Sequence, residues 1–556
     1  MAKCFDPKQA MRFLCGVLFA AGSIAVLLAF AEGALRWAKY GYPAAYFQVD
    51  VFEGKQWVSV NDAFLLRFFP QERIFPPFPV RFTAQKPPNT FRCFVLGGSS
   101  AMGYPSPEGG FWRILKVMLQ EKHPGKNIEV INCANPGVDS HMLLPIAREC
   151  RRYAPDLFIV YIGNNEFLGP YGPCGPGGRF PPPLSIIRAQ LAIKTTRLGQ
   201  FAMGLGARLA ASNAASLNPL AFQGAAPDDP RVADIYKNYA RNLDDIVRAG
   251  TTSAASVVLG TAPSIFKDWP PMGSAHRNGM TLSDTQKWDK AYAAGCAEEE
   301  KGHFESALQA YEVARKIDDR FAELHFRMGN CFHAIGDFPR ARSSLQRARD
   351  LELLRSNMDD RLVSITREIA ARHAPRDVIF VDVPASVESQ GPNGFIDHSL
   401  AYDNAHFTFD GNYWIATAFA PAIADIAERR LNGAPGRNQA FPGPEACRKA
   451  LAWTTWHDWK TRKSVAESIR KAAAALRIES AAPTELSVQP LQRLLLADVP
   501  PLPAEELRHC IAAVKAYLDR VPSDGLQRSN LALMEQELAQ APPSSPGETP
   551  IPLSTQ

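Results

Sequence analysis

The sequence predicts a three-layer α/β fold, a parallel sheet with helices on both faces, and three observations carry this expectation. First, five short runs rich in strand formers stand apart along the chain: Phe91–Leu96, Asn127–Asn132 (NIEVIN), Asp156–Ile162 (DLFIVYI), Ser256–Thr261 (SVVLGT) and Val378–Val383 (VIFVDV). Runs this short and apolar suit strands buried on both faces. Second, helical patterns separate them, at Gly110–His123, Asp139–Tyr153, Arg231–Arg248 and Asp359–Arg372, and a last one follows at Asn412–Arg430. A strand, a helix and a further strand need a crossover, so the strands run parallel and the helices cover the sheet. Third, the runs end in loops of glycine and small polar residues, such as the GGSSAMG after Leu96. Such sheets bind ligands at the carboxyl ends of their strands, so chemistry is expected there.

The chain is too long to be that unit alone. Its 556 residues suggest roughly three or four domains. Hydrophobic residues make up 46% and charged residues 21%, ordinary for globular material, and 45 prolines against 38 glycines point to long loops. The net charge of +5 is spread out, with no basic stripe interleaved with aromatics, so nucleic acid is not an expected partner. Ten cysteines occur without a CxxC or a Cys/His cluster at zinc spacing. Neither a metal nor a cofactor is expected, and disulfide pairing stays open.

Phe13–Ala31 is nineteen residues without a charge, about the length that crosses a bilayer core as a helix. Lys3, Lys8 and Arg12 precede it, which predicts a cytoplasmic tail over residues 1–12, a transmembrane anchor over 13–31 and the bulk of the chain outside; Arg36 and Lys39 weaken that bias. The rival is a cleaved signal peptide, because Ala29-Phe30-Ala31 has the small-x-small form of a cleavage site. The anchor is favoured: the run is long for a signal, and Leu35, Trp37 and Tyr40 continue past it as an interfacial belt. Either way the bulk of the chain leaves the cytoplasm.

Residues 41–90, with FFPQERIFPPFPV at Phe68–Val80, read as an ordered but irregular arm. Two stretches then break the βα rhythm. In the first, Leu168–Leu184 is dense in Gly and Pro and reads as loop. Leu198–Ala226 follows it, with Arg208 its only charged residue. It reads as an apolar loop and helix packed on the core, the sharper alternatives being a lid over an acyl site or a patch touching the membrane. The second stretch is a repeat: Gly295, Gly302, Phe304, Ala307 and Ala314 recur as Gly329, Gly336, Phe338, Ala341 and Ala348, each 34 positions on. This period, with small residues where two helices approach, resembles the tetratricopeptide repeat. It predicts a helical hairpin module over residues 291–354 whose groove takes a protein partner, dividing the βα unit into 91–290 and 355–432. Beyond that the strands stop. Residues 440–540 read as a helical region with a stripe of Leu507, Cys510, Ile511, Val514 and Leu518. Asp498–Pro503 reads as a linker and 541–556 as a disordered tail.

Ser99 is the candidate nucleophile. Gly97 and Gly98 let the chain turn sharply without Cβ clashes, which puts the serine hydroxyl at the carboxyl edge of the sheet near a helix amino terminus. Three further stretches reach that edge: CANPGVDS, with Gly137, after the second strand; GNNE, Gly163 to Glu166, after the third; and DNAHFTFDGNY, with Asp403 and His406, before the final helix. Taken singly, Asn165 suits a turn, His406 a surface position and Asp403 a helix cap. Their shared placement argues for chemistry.

These four stretches resemble the SGNH/GDSL hydrolase superfamily. LGGSSA is similar to its serine block, Gly137 to its glycine block, GNNE to its GxND block with Asn165 as the asparagine, and DNAH to its DxxH block, in the same order, from about Phe91 to Arg430. Two positions depart: Gly98 stands where the family usually has Asp, and Glu166 stands where it has Asp after the asparagine. The resemblance implies a flavodoxin-like sheet and assigns roles. A serine hydroxyl needs a base within hydrogen-bond reach, His406. Asp403 orients the imidazole and stabilises its protonated form. The oxyanion formed on attack needs donors, which are the amides of Gly137 and Ser99 and the side chain of Asn165.

The anchor, GNNEFLGPYG and the repeats together resemble a bacterial membrane-anchored subgroup. That implies a single-pass protein of the inner membrane with its bulk periplasmic or otherwise extracytoplasmic. The expected activity is that of a serine esterase or O-acyltransferase, acting on an acylated small molecule or on acylated glycans of the cell envelope. The alternative is a catalytically silent scaffold whose repeats bind an extended partner peptide. The joint presence of Ser99, Asn165, Asp403 and His406 argues against it.

Overall fold

The computed structural model of the chain describes residues 7–69, 77–175, 182–211, 224–265, 267–431, 440–479 and 502–540. Helix α1 (Pro7–Trp37) leads. Among the described residues one helix is long and apolar enough to cross a membrane, this one over Phe13–Trp37, its most apolar stretch having mean hydropathy 2.5 and no buried residue. The helix continues past Ala31 through the paired Glu32 and Arg36, 2.7 Å apart.

The arm over 41–90 is not irregular throughout. Strands β1 (Phe47–Phe52) and β2 (Lys55–Val60) form a hairpin, and β3 (Arg81–Thr83) adds antiparallel to β2. Glu53 and Gly54 at the turn have φ of 50° and 71°. Two residues of positive φ make the turn whose twist matches that of paired strands. The alternation FQVDVF–EG–KQWVSV was the available signal, masked by the prolines and aromatics around it. Glu149 anchors the arm by accepting from the amides of Tyr46 and Phe47 at 2.8 and 3.0 Å. Residues 70–76, within Phe68–Val80, lie outside the described residues.

Strands β4 (Thr90–Gly97), β5 (Asn127–Asn132), β6 (Leu157–Tyr161), β7 (Ser256–Gly260) and β8 (Val378–Val381) form one parallel sheet in the order β5-β4-β6-β7-β8. Counted within the sheet this is 2-1-3-4-5, a doubly wound order whose switch point adjoins β4. Every residue of β4, β6 and β7 is buried, as central strands covered on both faces must be. Helix α2 (Ser99–Met102) follows β4, and α3 (Phe111–Lys122) leads to β5. Then α4 (Ser140–Cys150) leads to β6, and α5 (Leu184–Ile193), α6 (Arg197–Ala211) and α7 (Pro230–Thr251) lead to β7.

Between β7 and β8 the chain leaves the sheet for α8 (Leu282–Glu300), α9 (Phe304–Ile317), α10 (Ala322–Ala334) and α11 (Phe338–Leu351), which pack as two helix hairpins side by side. Gly295 and Gly329 hold equivalent places: a Cβ on the first would run into the Tyr311 ring, and one on the second into Leu345. The 34-residue offset is thus a packing period. These helices enclose Trp288, Tyr311, Leu324, Met328, Leu345 and Phe395 in a core separate from the main one. The first helix begins at Leu282, so the helical segment starts ahead of residue 291.

The chain returns through α12 (Asp360–His373) to β8, then α13 (Val383–Glu388) and α14 (Phe409–Arg430). Helices α3 and α14 pack together, as do α4, α7 and α12, the two groups that right-handed crossovers place on opposite faces. Asp139, Asp359 and Thr408 cap α4, α12 and α14, each accepting from the amide three residues on. Finally α15 (Pro444–Leu451), α16 (Thr455–Glu479), α17 (Ala504–Arg520) and α18 (Gly525–Gln540) form the helical region. Leu507, Cys510, Ile511 and Val514 are buried there around Trp456, with Leu518 partly buried. Most of the linker at Asp498–Pro503, the tail 541–556, residues 1–6, and 212–223 of Leu198–Ala226 lie outside the described residues.

Candidate active site

The site forms where β4 ends, beside the switch point. A Cβ on Gly97 would run into the carbonyl oxygen of Tyr161 on β6. Gly98 follows in an extended conformation, φ −90° and ψ −159°, so these glycines supply room rather than a left-handed torsion. The chain then enters α2, and Ser99 stands in its first turn.

Ser99 Oγ lies 2.8 Å from His406 Nε2. On the far side of the ring, His406 Nδ1 lies 2.7 Å from Asp403 Oδ2 and 2.9 Å from Oδ1. With Nδ1 donating to the carboxylate, Nε2 is the acceptor for the serine hydroxyl. Asp403 Oδ1 also accepts from the amides of Ala405 and His406 at 2.9 and 2.8 Å, which fixes the DNAH loop as a turn around the carboxylate. Burial pushes the Asp403 carboxyl up, but the imidazole and the two amides outweigh it and hold its pKa below the ordinary range.

Asn165 Nδ2 donates to the carbonyl of Val138 at 3.0 Å. Gly137, at φ 69°, precedes that residue. A Cβ on Gly98 would lie 2.9 Å from the same nitrogen. The structure therefore brings Asn165 and the Gly137 loop against the residue before Ser99, and one amide hydrogen of Asn165 remains beyond the bond to Val138. Glu166 turns the other way, accepting from the amide and hydroxyl of Ser140 at 2.8 and 2.7 Å. That ties the GNNE turn to the start of α4. Burial raises both carboxyls there, Asp139 to about 7 and Glu166 to about 8, the latter helped by the charge of Asp139.

Several supporting residues were not singled out by the sequence. Ser100 Oγ donates to the carbonyl of Ala405 at 2.8 Å, and Asn164 Nδ2 reaches Ser100 Oγ at 3.4 Å. The Tyr104 ring packs on the His406 imidazole with centroids 4.9 Å apart. Asn404 Nδ2 donates to Ser356 Oγ and Asn357 Oδ1, both at 3.1 Å, bracing the histidine loop on the chain that leaves the helix hairpins. Ser100 and Asn404 fall inside the motifs, whereas nothing in the sequence marked Ser356 or Asn357. The C-terminal helices back the loop after α2: Asn530 donates to Glu108 at 2.9 Å, and Gly109 leaves no room for a Cβ beside Trp453. Among the described residues no group of His, Cys, Asp and Glu is placed to hold a metal ion.

No protein-family model matches the chain, and no curated protein does. Among solved structures it is similar to LAE5, an alpha/beta hydrolase enzyme from the metagenome of Lake Arreo, Spain, at 13% identity, covering 61% of this chain and 96% of that one with a TM-score of 0.28. It is also similar to Axe2, an acetylxylan esterase from Geobacillus stearothermophilus, at 14% identity, covering 63% and 97% with a TM-score of 0.26. Likeness this distant decides neither the activity nor the substrate of this chain.

Proposed function

We propose that the protein is a serine esterase or O-acyltransferase acting on acylated glycans of a bacterial cell envelope. The observation that carries this reading is the unbroken hydrogen-bonded series Ser99–His406–Asp403 at the carboxyl end of β4. Ser99 Oγ attacks the ester carbonyl while His406 Nε2 takes its proton, and Asp403 stabilises the imidazolium that results. The carbonyl oxygen, now an oxyanion, is met by the amides of Ser99 and Gly137 and by Asn165 Nδ2; one such donor is worth about 2.7–4 kcal/mol of barrier. The ester C–O bond then breaks, and His406 returns the proton to the departing alcohol. In the second half, water or an acceptor hydroxyl attacks the acyl-Ser99 carbonyl and gives its proton to His406; the acyl C–Ser99 Oγ bond then breaks, His406 returns that proton to Oγ, and the acid or new ester leaves. Hydrolysis and transfer part only at that acceptor.

The glycan rests on the likeness of the four motifs, and the membrane location on α1. We place Lys3, Lys8 and Arg12 on the cytoplasmic side, the bulk of the chain in the periplasm, and a protein partner on the helix hairpins, read as tetratricopeptide repeats. The test is labelling of the full chain in detergent with a fluorophosphonate. One label on Ser99 is expected, absent from Ser99→Ala and much slowed in His406→Ala. A folded protein that takes no label would favour the silent scaffold, with the hairpins as its working part.

A further inference from the structure

Helices α5 and α6 carry apolar side chains on more than the face that packs. In α5, Ile187 and Leu191 are buried, while Ile186 and Ile193 are 47% and 49% exposed, with exposed Ala189 between them on the same stripe. In α6, Phe201 and Leu205, one turn apart, are 42% and 49% exposed. A helix that packs on one face and meets only water on the other is polar on the outside, and these two are not.

What their outer faces meet is indicated by how they are fixed. Glu32, near the end of α1, accepts from the amides of Arg197 and Leu198 at 3.1 and 2.8 Å, so the apolar helix caps the start of α6. Gln200 accepts from the Tyr42 amide at 2.9 Å and donates to the Tyr42 carbonyl at 3.0 Å. The Tyr40 ring meets Phe201 edge-on with centroids 5.5 Å apart. On the other side α5 is bound to the body: Arg67 donates to the Leu191 carbonyl at 3.2 Å, Lys194 donates to the Arg67 carbonyl at 2.7 Å, and Arg188 pairs with Asp245 at 2.8 Å. Both helices are therefore set firmly beside the end of α1 that carries the exposed Trp37. Arg188 and Lys194 are thus turned to the body of the protein, and the outward side of these helices is apolar. Outward apolar residues and continuity with an exposed apolar helix together suit the headgroup and acyl boundary of a bilayer.

We propose that α5 and α6 form a second, in-plane lipid contact: Ile186, Ile193, Phe201 and Leu205 enter the bilayer boundary around the exit of α1 and hold the βα unit in one orientation over the membrane. This rests on the reading of α1 as a membrane span. The test uses the full chain in phosphatidylethanolamine and phosphatidylglycerol vesicles, with p-benzoylphenylalanine placed singly at Phe19, Ile193, Phe201 or Val313. After irradiation, covalent phospholipid is scored by mass. Phe19 lies within the α1 span, and Val313 is exposed on α9. Phospholipid captured at Phe19, Ile193 and Phe201, and at least tenfold less at Val313, is the expected result. Capture at Phe19 alone overturns the second contact and leaves the span standing. Capture of protein instead of lipid at Ile193 and Phe201, or equal lipid at Val313, also overturns it, and no lipid at Phe19 overturns span and contact together.

Discussion

Ser100 donates its hydroxyl to the carbonyl of Ala405 at 2.8 Å, and this bond latches the helix that opens on Ser99 to the loop that ends on His406. Ser99 and His406 are 307 positions apart in sequence, so their 2.8 Å approach depends on bonds of this kind. Ser100→Ala is expected to lower kcat by about 10- to 100-fold with KM little changed, because misplacement by about 1 Å costs on that order. Folding stability should fall by about 1 kcal/mol, the usual net worth of a buried hydrogen bond. Steady-state kinetics on a small acetyl ester read the first and urea titration the second. A raised KM at constant kcat would show that Ser100 shapes the binding surface instead.

Ser99→Ala and His406→Ala should each reduce ester cleavage to near background, by about 10⁴-fold or more, while the fold survives. Nucleophile and base act as one unit, so the double variant should be no more than a few-fold worse than either single one. Full activity in Ser99→Ala would move the nucleophile elsewhere.

The strands of the main sheet were legible because a strand covered on both faces is a nearly continuous apolar run, as Cys93–Leu96 and Leu157–Ile162 are. The helix starts at Asp139 and Asp359 were legible for a local reason too, since a cap and the amide it satisfies lie three residues apart, whereas the last helix begins at Phe409 behind its cap Thr408, ahead of the expected Asn412. The β1–β2 hairpin was hidden because half of its length is exposed and its turn, Glu53-Gly54, is not among the commonest turn pairs. Asn404 against Ser356 and Asn357 was hidden more deeply: such braces join segments 47 and 48 positions apart, and no local periodicity records them.

Asp139 and Glu166 give a pH dependence of stability with a definite sign. Their pKa values in the folded protein, about 7 and about 8, lie above those of ordinary carboxyls, so the folded state holds protons that the unfolded chain has released. Stability from this source is fullest in acid, falls as pH rises from about 4 to about 8, and levels off beyond, by at most about 1.4 kcal/mol per pH unit for each proton. Glu166→Gln keeps an acceptor for the Ser140 amide and loses one titrating group. It should flatten the decline and raise the melting temperature at pH 8 relative to the parent; an unchanged slope would show that this carboxyl is ionised throughout.

The helix hairpins should be removable, provided the cut respects their base. Glu352 accepts from the Met272 amide at 3.0 Å, and the Leu353 amide donates to the Gly273 carbonyl at 3.1 Å, so the chain enters and leaves the module side by side. A short Gly/Ser linker from Gly273 to Glu352 can therefore span the gap, as insertions whose ends meet at the surface allow. Residues 352–358 have to stay. Ser356 and Asn357 brace Asn404, and a Cβ on Gly163 would lie 2.8 Å from Met358 Sδ, which shows how closely that side chain covers the GNNE turn. Deletion of residues 274–351 is expected to leave small-ester hydrolysis within about threefold of the parent and to abolish capture of a protein partner from membrane extracts. Phe395, which the module buries, should be changed to Ser in the same variant, since a newly exposed Phe forfeits about 1.5–3 kcal/mol and invites aggregation. Extending the deletion through Met358 should lower kcat by at least about tenfold, because the histidine loop loses its brace. If the shorter deletion, folded by circular dichroism, is already inactive, the hairpins belong to the catalytic unit and the two cores are not separable.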